Sequence, residues 1–126
     1  MRWWIPCLAV WFVVGWLVLS PAGTSAGGLP IPDKLAHLVA WLGLALAAWP
    51  AVAVTVRWSR ASRAAAVLGA CASYAVATEL LQGLVPGRSA EALDAVADLA
   101  GAALGVLTWW LIEARRRRGE VPRPAP

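Results

Sequence analysis

Eight residues of types that donate, accept or ligate fall in three short strings: Asp33, Lys34 and His37; Glu79 and Gln82 with Arg88 beyond them; and Asp94 and Asp98. An imidazole with carboxylates can move protons or hold a divalent ion. Lys34 and Arg88 offer charge to a phosphate or carboxylate. Such a set permits many reactions and is diagnostic of none. Ser89 and Thr78 are the nearby hydroxyls, and neither sits in a recognisable nucleophile motif, which disfavours covalent catalysis. Asp33 and His37 are four apart, as are Asp94 and Asp98, and Glu79 and Gln82 are three apart, so each pair can share a helix face.

The elements that position these strings are apolar helices. Hydrophobic residues make up 60% of the chain and charged residues 14%, against about 25% charged in ordinary soluble domains. Nine Trp accompany one Phe and one Tyr, and Trp favours membrane–water interfaces. Apolar runs cover residues 3–19, 35–56, 64–85 and 93–112, each of spanning length or at its short end. Pro50 lies within the second run and predicts a kink, whereas Pro86-Gly87 predicts a turn after the third. The pattern predicts an all-α, membrane-embedded bundle of about four transmembrane helices in one domain, residues 1–114. A basic, proline-containing tail, residues 115–126, is expected to be disordered. The first run also has the form of a secretory signal, with small residues at 22–26 where cleavage would fall. Its length and Trp3, Trp4, Trp11 and Trp16 favour an uncleaved helix.

Basic residues set the expected topology. Arg2, the loop with Arg57, Arg60 and Arg63, and the block Arg115 to Arg118 alternate with loops bearing only Lys34 and Arg88. The positive-inside rule then places both termini and the middle loop in the cytoplasm of a multi-pass cell-membrane protein. The net charge of +4 is therefore topogenic, and nucleic acid is not expected as a partner. Cys7 and Cys71 form no metal or disulfide pattern. With this topology Asp33, Lys34, His37, Glu79, Gln82, Arg88, Asp94 and Asp98 all converge near the extracytoplasmic face. Glu79 is expected about 9 Å inside its helix end at 1.5 Å per residue. Ionisable groups at such depth are costly and face partners or a wet cavity.

The motifs then match a family. Asp33-Lys34-Leu35-Ala36-His37 resembles the DKxxH string that opens VanZ-like proteins. Glu79-Leu80-Leu81-Gln82, with Pro86-Gly87-Arg88-Ser89 after it, resembles their ExxQ and PGR-type segment. Asp94, Asp98 and Gly101 resemble their closing DxxxNxxG element, with Asp98 standing where the family usually has Asn. The resemblance covers roughly residues 30–110. It implies a membrane protein of the cell envelope whose molecular activity is poorly defined. The family's name comes from a member linked to reduced susceptibility to the glycopeptide teicoplanin, which does not make this chain a resistance protein.

Plain structural roles stand beside functional ones. Asp33 after Pro32 could cap a helix, and Lys34 could snorkel to the interface. Glu79 could pair with Arg88 or Lys34, and Asp94 and Asp98 could answer a helix dipole. Gly101 and Gly105 form a GxxxG pair suited to close helix packing. Three function classes follow. The first is a binding site for a lipid-linked, cell-wall or glycopeptide-type ligand. The second is a His/carboxylate enzyme, with or without a metal. The third is a structural ion-pair network. Five carboxylates, Asp33, Glu79, Glu91, Asp94 and Asp98, against Lys34 and Arg88 favour a site that holds a cation or basic group. The residues leave cofactor, enzyme status and oligomeric state open.

Overall fold

Four helices account for the fold in a computed structural model, which describes residues 3–20 and 32–119. They are α1 (Trp4–Leu19), α2 (Asp33–Thr55), α3 (Arg60–Gln82) and α4 (Ala92–Gly119), and there is no strand among the described residues. The helices α2, α3 and α4 are long and apolar enough to cross a membrane. The 16 residues of α1 reach about 24 Å, short of the roughly 30 Å hydrocarbon core.

Cross-helix contacts fix an up-down-up-down order. Trp4 Nε1 donates to Thr55 Oγ1 at 2.6 Å, so α1 runs antiparallel to α2. Tyr74 Oη donates to the Trp11 carbonyl and Gln82 Nε2 to that of Val18, each at 2.9 Å, so α1 and α3 are parallel. These bonds, with buried Cys7, Val14, Gly15 and Val18, make α1 a packed member of the bundle. The residues 21–31, where a signal cleavage would fall, lie outside the described residues.

The core is built on α2, whose Trp41, Leu44, Ala45 and Trp49 are fully or almost fully buried against Val67, Cys71 and Ala75 of α3 and Ala102 of α4. Large apolar side chains such as Phe12, Trp16, Leu80 and Leu111 remain exposed, the surface expected of a membrane protein, where lipid replaces water. The parallel pair α2 and α4 packs most extensively. A Cβ at Gly101 would run into the Leu38 carbonyl, and one at Gly105 would lie 2.7 Å from Ala45 Cβ and 2.9 Å from the Leu42 oxygen. The GxxxG pair therefore sets the α2–α4 separation.

The helix limits differ from the apolar runs where polar residues cap or extend them. Ser59 Oγ accepts from Ser62 N at 3.0 Å and starts α3 at Arg60. Arg60 and Arg63 therefore belong to the helix rather than to the loop before it. At the other end, α3 stops at Gln82, and turn bonds carry the chain through Leu84, Val85 and Arg88, with Gly87 at φ 79°. Glu79 is thus about 4.5 Å from its helix end rather than 9 Å. The helix α4 continues through Arg115, Arg116, Arg117 and Arg118 to Gly119. The expected disorder from residue 115 is corrected for 115–119, because cations at a helix C-terminus answer its dipole. Residues 120–126 of that tail lie outside the described residues.

Candidate functional site

The end of the bundle formed by the last turn of α1, the start of α2, the end of α3 and the start of α4 gathers the buried polar side chains. His37, Thr78, Glu79, Gln82, Asp94 and Asp98 are all buried there. His37 comes from the second turn of α2 and Asp98 from that of α4, and Nδ1 lies 2.9 Å from Asp98 Oδ1. The His37 ring stacks on Trp41, with centroids 5.8 Å apart and planes at 15°. Trp41 is held in turn by its indole N–H on the Cys71 carbonyl at 3.1 Å. A ring fixed on one side by a carboxylate and on a face by an indole has one orientation.

Glu79 reaches from α3 to the start of α4, where its Oε2 accepts from the Glu91 backbone N–H at 2.9 Å. It therefore supplies a helix start with an acceptor from another helix. This replaces the expected pairing with Arg88 or Lys34. Lys34 instead bridges Glu91 at 3.0 Å and Asp94 at 2.9 Å. Asp33 is the first residue of α2 after the cap residue Pro32, and among the described residues its carboxylate makes no hydrogen bond. Its expected capping bond is not formed, because the carbonyl of Pro32 already sets the helix start by accepting from Leu35 and Ala36. Arg88 is half-buried, and no ion-pair partner for it occurs among the described residues. Gln82 turns away to α1, where it satisfies the Val18 carbonyl. The Thr78 hydroxyl is bound to the Tyr74 and Ala75 carbonyls of its own helix, and Ser89 is exposed.

The fold thus brings His37, Glu79 and Asp98 together from three helices, with ligating atoms all within 4.8 Å of one another. Asp33, His37 and Asp94 form a second such group on the solvent side. Two atoms of the inner group, Glu79 Oε1 and Asp98 Oδ2, are sealed and have no hydrogen-bond partner among the described residues. Buried acceptors without partners are uncommon and call for an explanation.

A family profile described as VanZ/LLP1 matches residues 7–113, from α1 almost to the end of α4. The chain belongs to the VanZ/LLP1 family. No curated protein and no solved structure matches it. Membership and the three spanning helices make this VanZ/LLP1 protein a multi-pass membrane protein.

Two features of this VanZ/LLP1 chain escaped sequence reading. Trp41, beneath the imidazole, looked like any other apolar core position, although its four-residue distance from His37 puts both on one helix face. At the opposite end, Glu113 Oε1 takes bonds from Arg63 and from the Trp49 indole, both at 2.8 Å. The Arg63 and Arg60 guanidinium groups also stand 5.2 Å from the Trp49 ring and 5.0 Å from the Trp110 ring. A lone acid beside a basic block was the available signal.

Proposed function

We propose that the polar end of the bundle faces the extracytoplasmic leaflet and binds the headgroup of a lipid-linked envelope or cell-wall component. The observation that carries this reading is the pair of sealed, partnerless oxygens, Glu79 Oε1 and Asp98 Oδ2, beside His37. The fold uses the other oxygen of each carboxylate and leaves these two for a partner from outside the chain. Those oxygens call for positive charge or a donor, carried by the headgroup or by an ion bound with it, because Lys34 is already engaged by Glu91 and Asp94. An open groove of about 480 Å³ runs along α1 from mid-helix toward that end, lined by Phe12, Gly15, Trp16, Leu19, Ser20 and Tyr74. Its apolar walls suit an acyl chain. The membrane surroundings and VanZ/LLP1 membership make an envelope amphiphile the natural source of both parts.

Acid–base catalysis ranks second. The His37–Asp98 pair resembles a base held by its orienting acid, but the buried hydroxyl at this end, on Thr78, is spent on backbone carbonyls.

The test is to extract the protein with its surrounding lipid into polymer nanodiscs and compare the lipids retained by wild type and Glu79→Gln with those of the bulk membrane. The expected result is one amphiphile enriched in wild type and lost from the variant. Identical lipid profiles for wild type, variant and membrane would overturn the reading.

A further inference from the structure

We propose that His37, Glu79 and Asp98 hold a divalent transition-metal ion, of the zinc or manganese kind, where α2, α3 and α4 meet; this rests on reading the cluster as a ligand site.

The three donors come from three different helices and lie within 4.8 Å of one another. Their residues are 3%, 7% and 0% exposed, so no bulk water compensates them. Both carboxylates keep one oxygen with no partner, Glu79 Oε1 and Asp98 Oδ2. A pair of buried carboxylates is expensive to maintain unless a cation or donors complete it, and the described residues supply one donor to each carboxylate but none to these two oxygens. A divalent ion shared by the two carboxylates would supply that missing partner.

The distances suit such an ion. Two ligand atoms each about 2.1 Å from a metal stand about 3 Å apart along an octahedral edge and about 3.4 Å apart in a tetrahedron. His37 Nδ1 and Asp98 Oδ1 are 2.9 Å apart, so that spacing serves a shared ion as well as a direct hydrogen bond. Glu79 is held at the site by its Oε2 contact to Glu91 N, which leaves its Oε1 for the ion.

The donor set selects the class of ion. One imidazole nitrogen with two carboxylates suits zinc or manganese, whereas magnesium and calcium prefer oxygen alone and Cu(I) prefers sulfur. Three protein donors also leave a coordination position open, where a phosphate or carboxylate of an envelope headgroup would attach. The second cluster does not compete. Asp94 Oδ1 is already bound by Lys34, Asp33 is exposed, and neither carries a sealed orphan oxygen.

The experiment uses the full chain in detergent, without a polyhistidine tag and stripped of metal by chelation, titrated with Mn2+ and with Zn2+. His37 is the sole histidine, so pulsed EPR of the Mn2+ form reports on it directly. The expected result is saturation at one ion per chain, a raised Tm, and coupling to a single imidazole nitrogen. Glu79→Gln and Asp98→Asn should each weaken binding by about 100-fold or more, with Glu113→Gln at the opposite end unchanged. Absence of saturable binding by wild type, absence of nitrogen coupling, or unaltered affinity in Glu79→Gln and Asp98→Asn would each overturn the proposal. The wild-type measurements decide even if a variant fails to fold. A negative titration alongside an amphiphile that depends on Glu79 would remove the ion and leave the headgroup site standing.

Discussion

His37 and Asp98 meet across the α2–α4 seam with Nδ1 2.9 Å from Oδ1, and neither side chain is open to its surroundings. In the neutral ring, an N–H at Nδ1 donating to Asp98 leaves Nε2 as the acceptor. Removing the acceptor strands that donor. Asp98→Ala is therefore expected to cost about 1–3 kcal/mol in the metal-free protein. Asp98→Asn keeps a carbonyl oxygen in place and should cost less than about 1 kcal/mol. Unfolding in detergent micelles measures both. Equal losses in the two variants would show that the acceptor at residue 98 is not what holds the imidazole.

Pro50 lies inside the continuous helix α2 and removes one of its backbone hydrogen bonds, and the carbonyl left over is satisfied from α4. Proline has no N–H, so the carbonyl of Leu46, four residues earlier, lacks its helical donor. Trp109 Nε1 supplies one at 3.0 Å. Trp109→Phe should destabilise the bundle by about 1–2 kcal/mol, and it should cost much less in a Pro50→Ala background, where the helix provides its own N–H. The coupling is read from a double-mutant cycle of unfolding free energies. Additive losses would mean that the indole contributes packing alone.

The spans, their order and the clustering of Asp33, Lys34, His37, Glu79, Asp94 and Asp98 at one end were legible because hydropathy and charge act locally along the chain. Partner choice was not. Glu79 was expected to meet Lys34 or Arg88, yet it accepts from the Glu91 backbone, because the short turn after α3 brings the amides at the start of α4 within reach. The spacing from Glu79 groups Gln82 with the site, but its side chain reaches the Val18 carbonyl of α1 instead. Backbone acceptors and donors carry no side-chain signature, so such bonds become visible only when the helices are placed. The arginines misled in a different way. They read as loop and tail markers, whereas Arg60, Arg63 and Arg115 to Arg118 are helical, since topogenic charge says which side a residue is on and not its backbone conformation.

Gly101 should be the least tolerant glycine in the bundle. A methyl group there meets the Leu38 backbone, which cannot move as a side chain would. Gly101→Ala is expected to cost about 1–3 kcal/mol through forced separation of α2 and α4. It should also loosen the His37–Asp98 contact one turn away. At Gly43 and Gly69 nothing lies within 4 Å of an added Cβ, so alanine there should be neutral or stabilise by up to about 1 kcal/mol. Thermal unfolding of the three variants checks the ranking. A Gly101→Ala protein as stable as Gly69→Ala would mean that the two helices are not in close contact at this point.

Orientation decides whether an envelope headgroup can reach the site. Ala90 lies in the connection between α3 and α4, Ala61 in the first turn of α3, and both are exposed. The 23 residues of α3 extend about 34 Å, so the two positions stand near opposite membrane faces. With Cys7 and Cys71 replaced, Ala90→Cys is expected to react with a membrane-impermeant thiol reagent on intact cells. Ala61→Cys should react only after permeabilisation, the outcome the positive-inside rule predicts from the arginines at its end of the bundle. The reverse pattern would turn the polar end toward the cytoplasm. A cell-wall ligand would then have no access to Glu79 and Asp98, and the two partnerless oxygens would need a cytoplasmic partner instead.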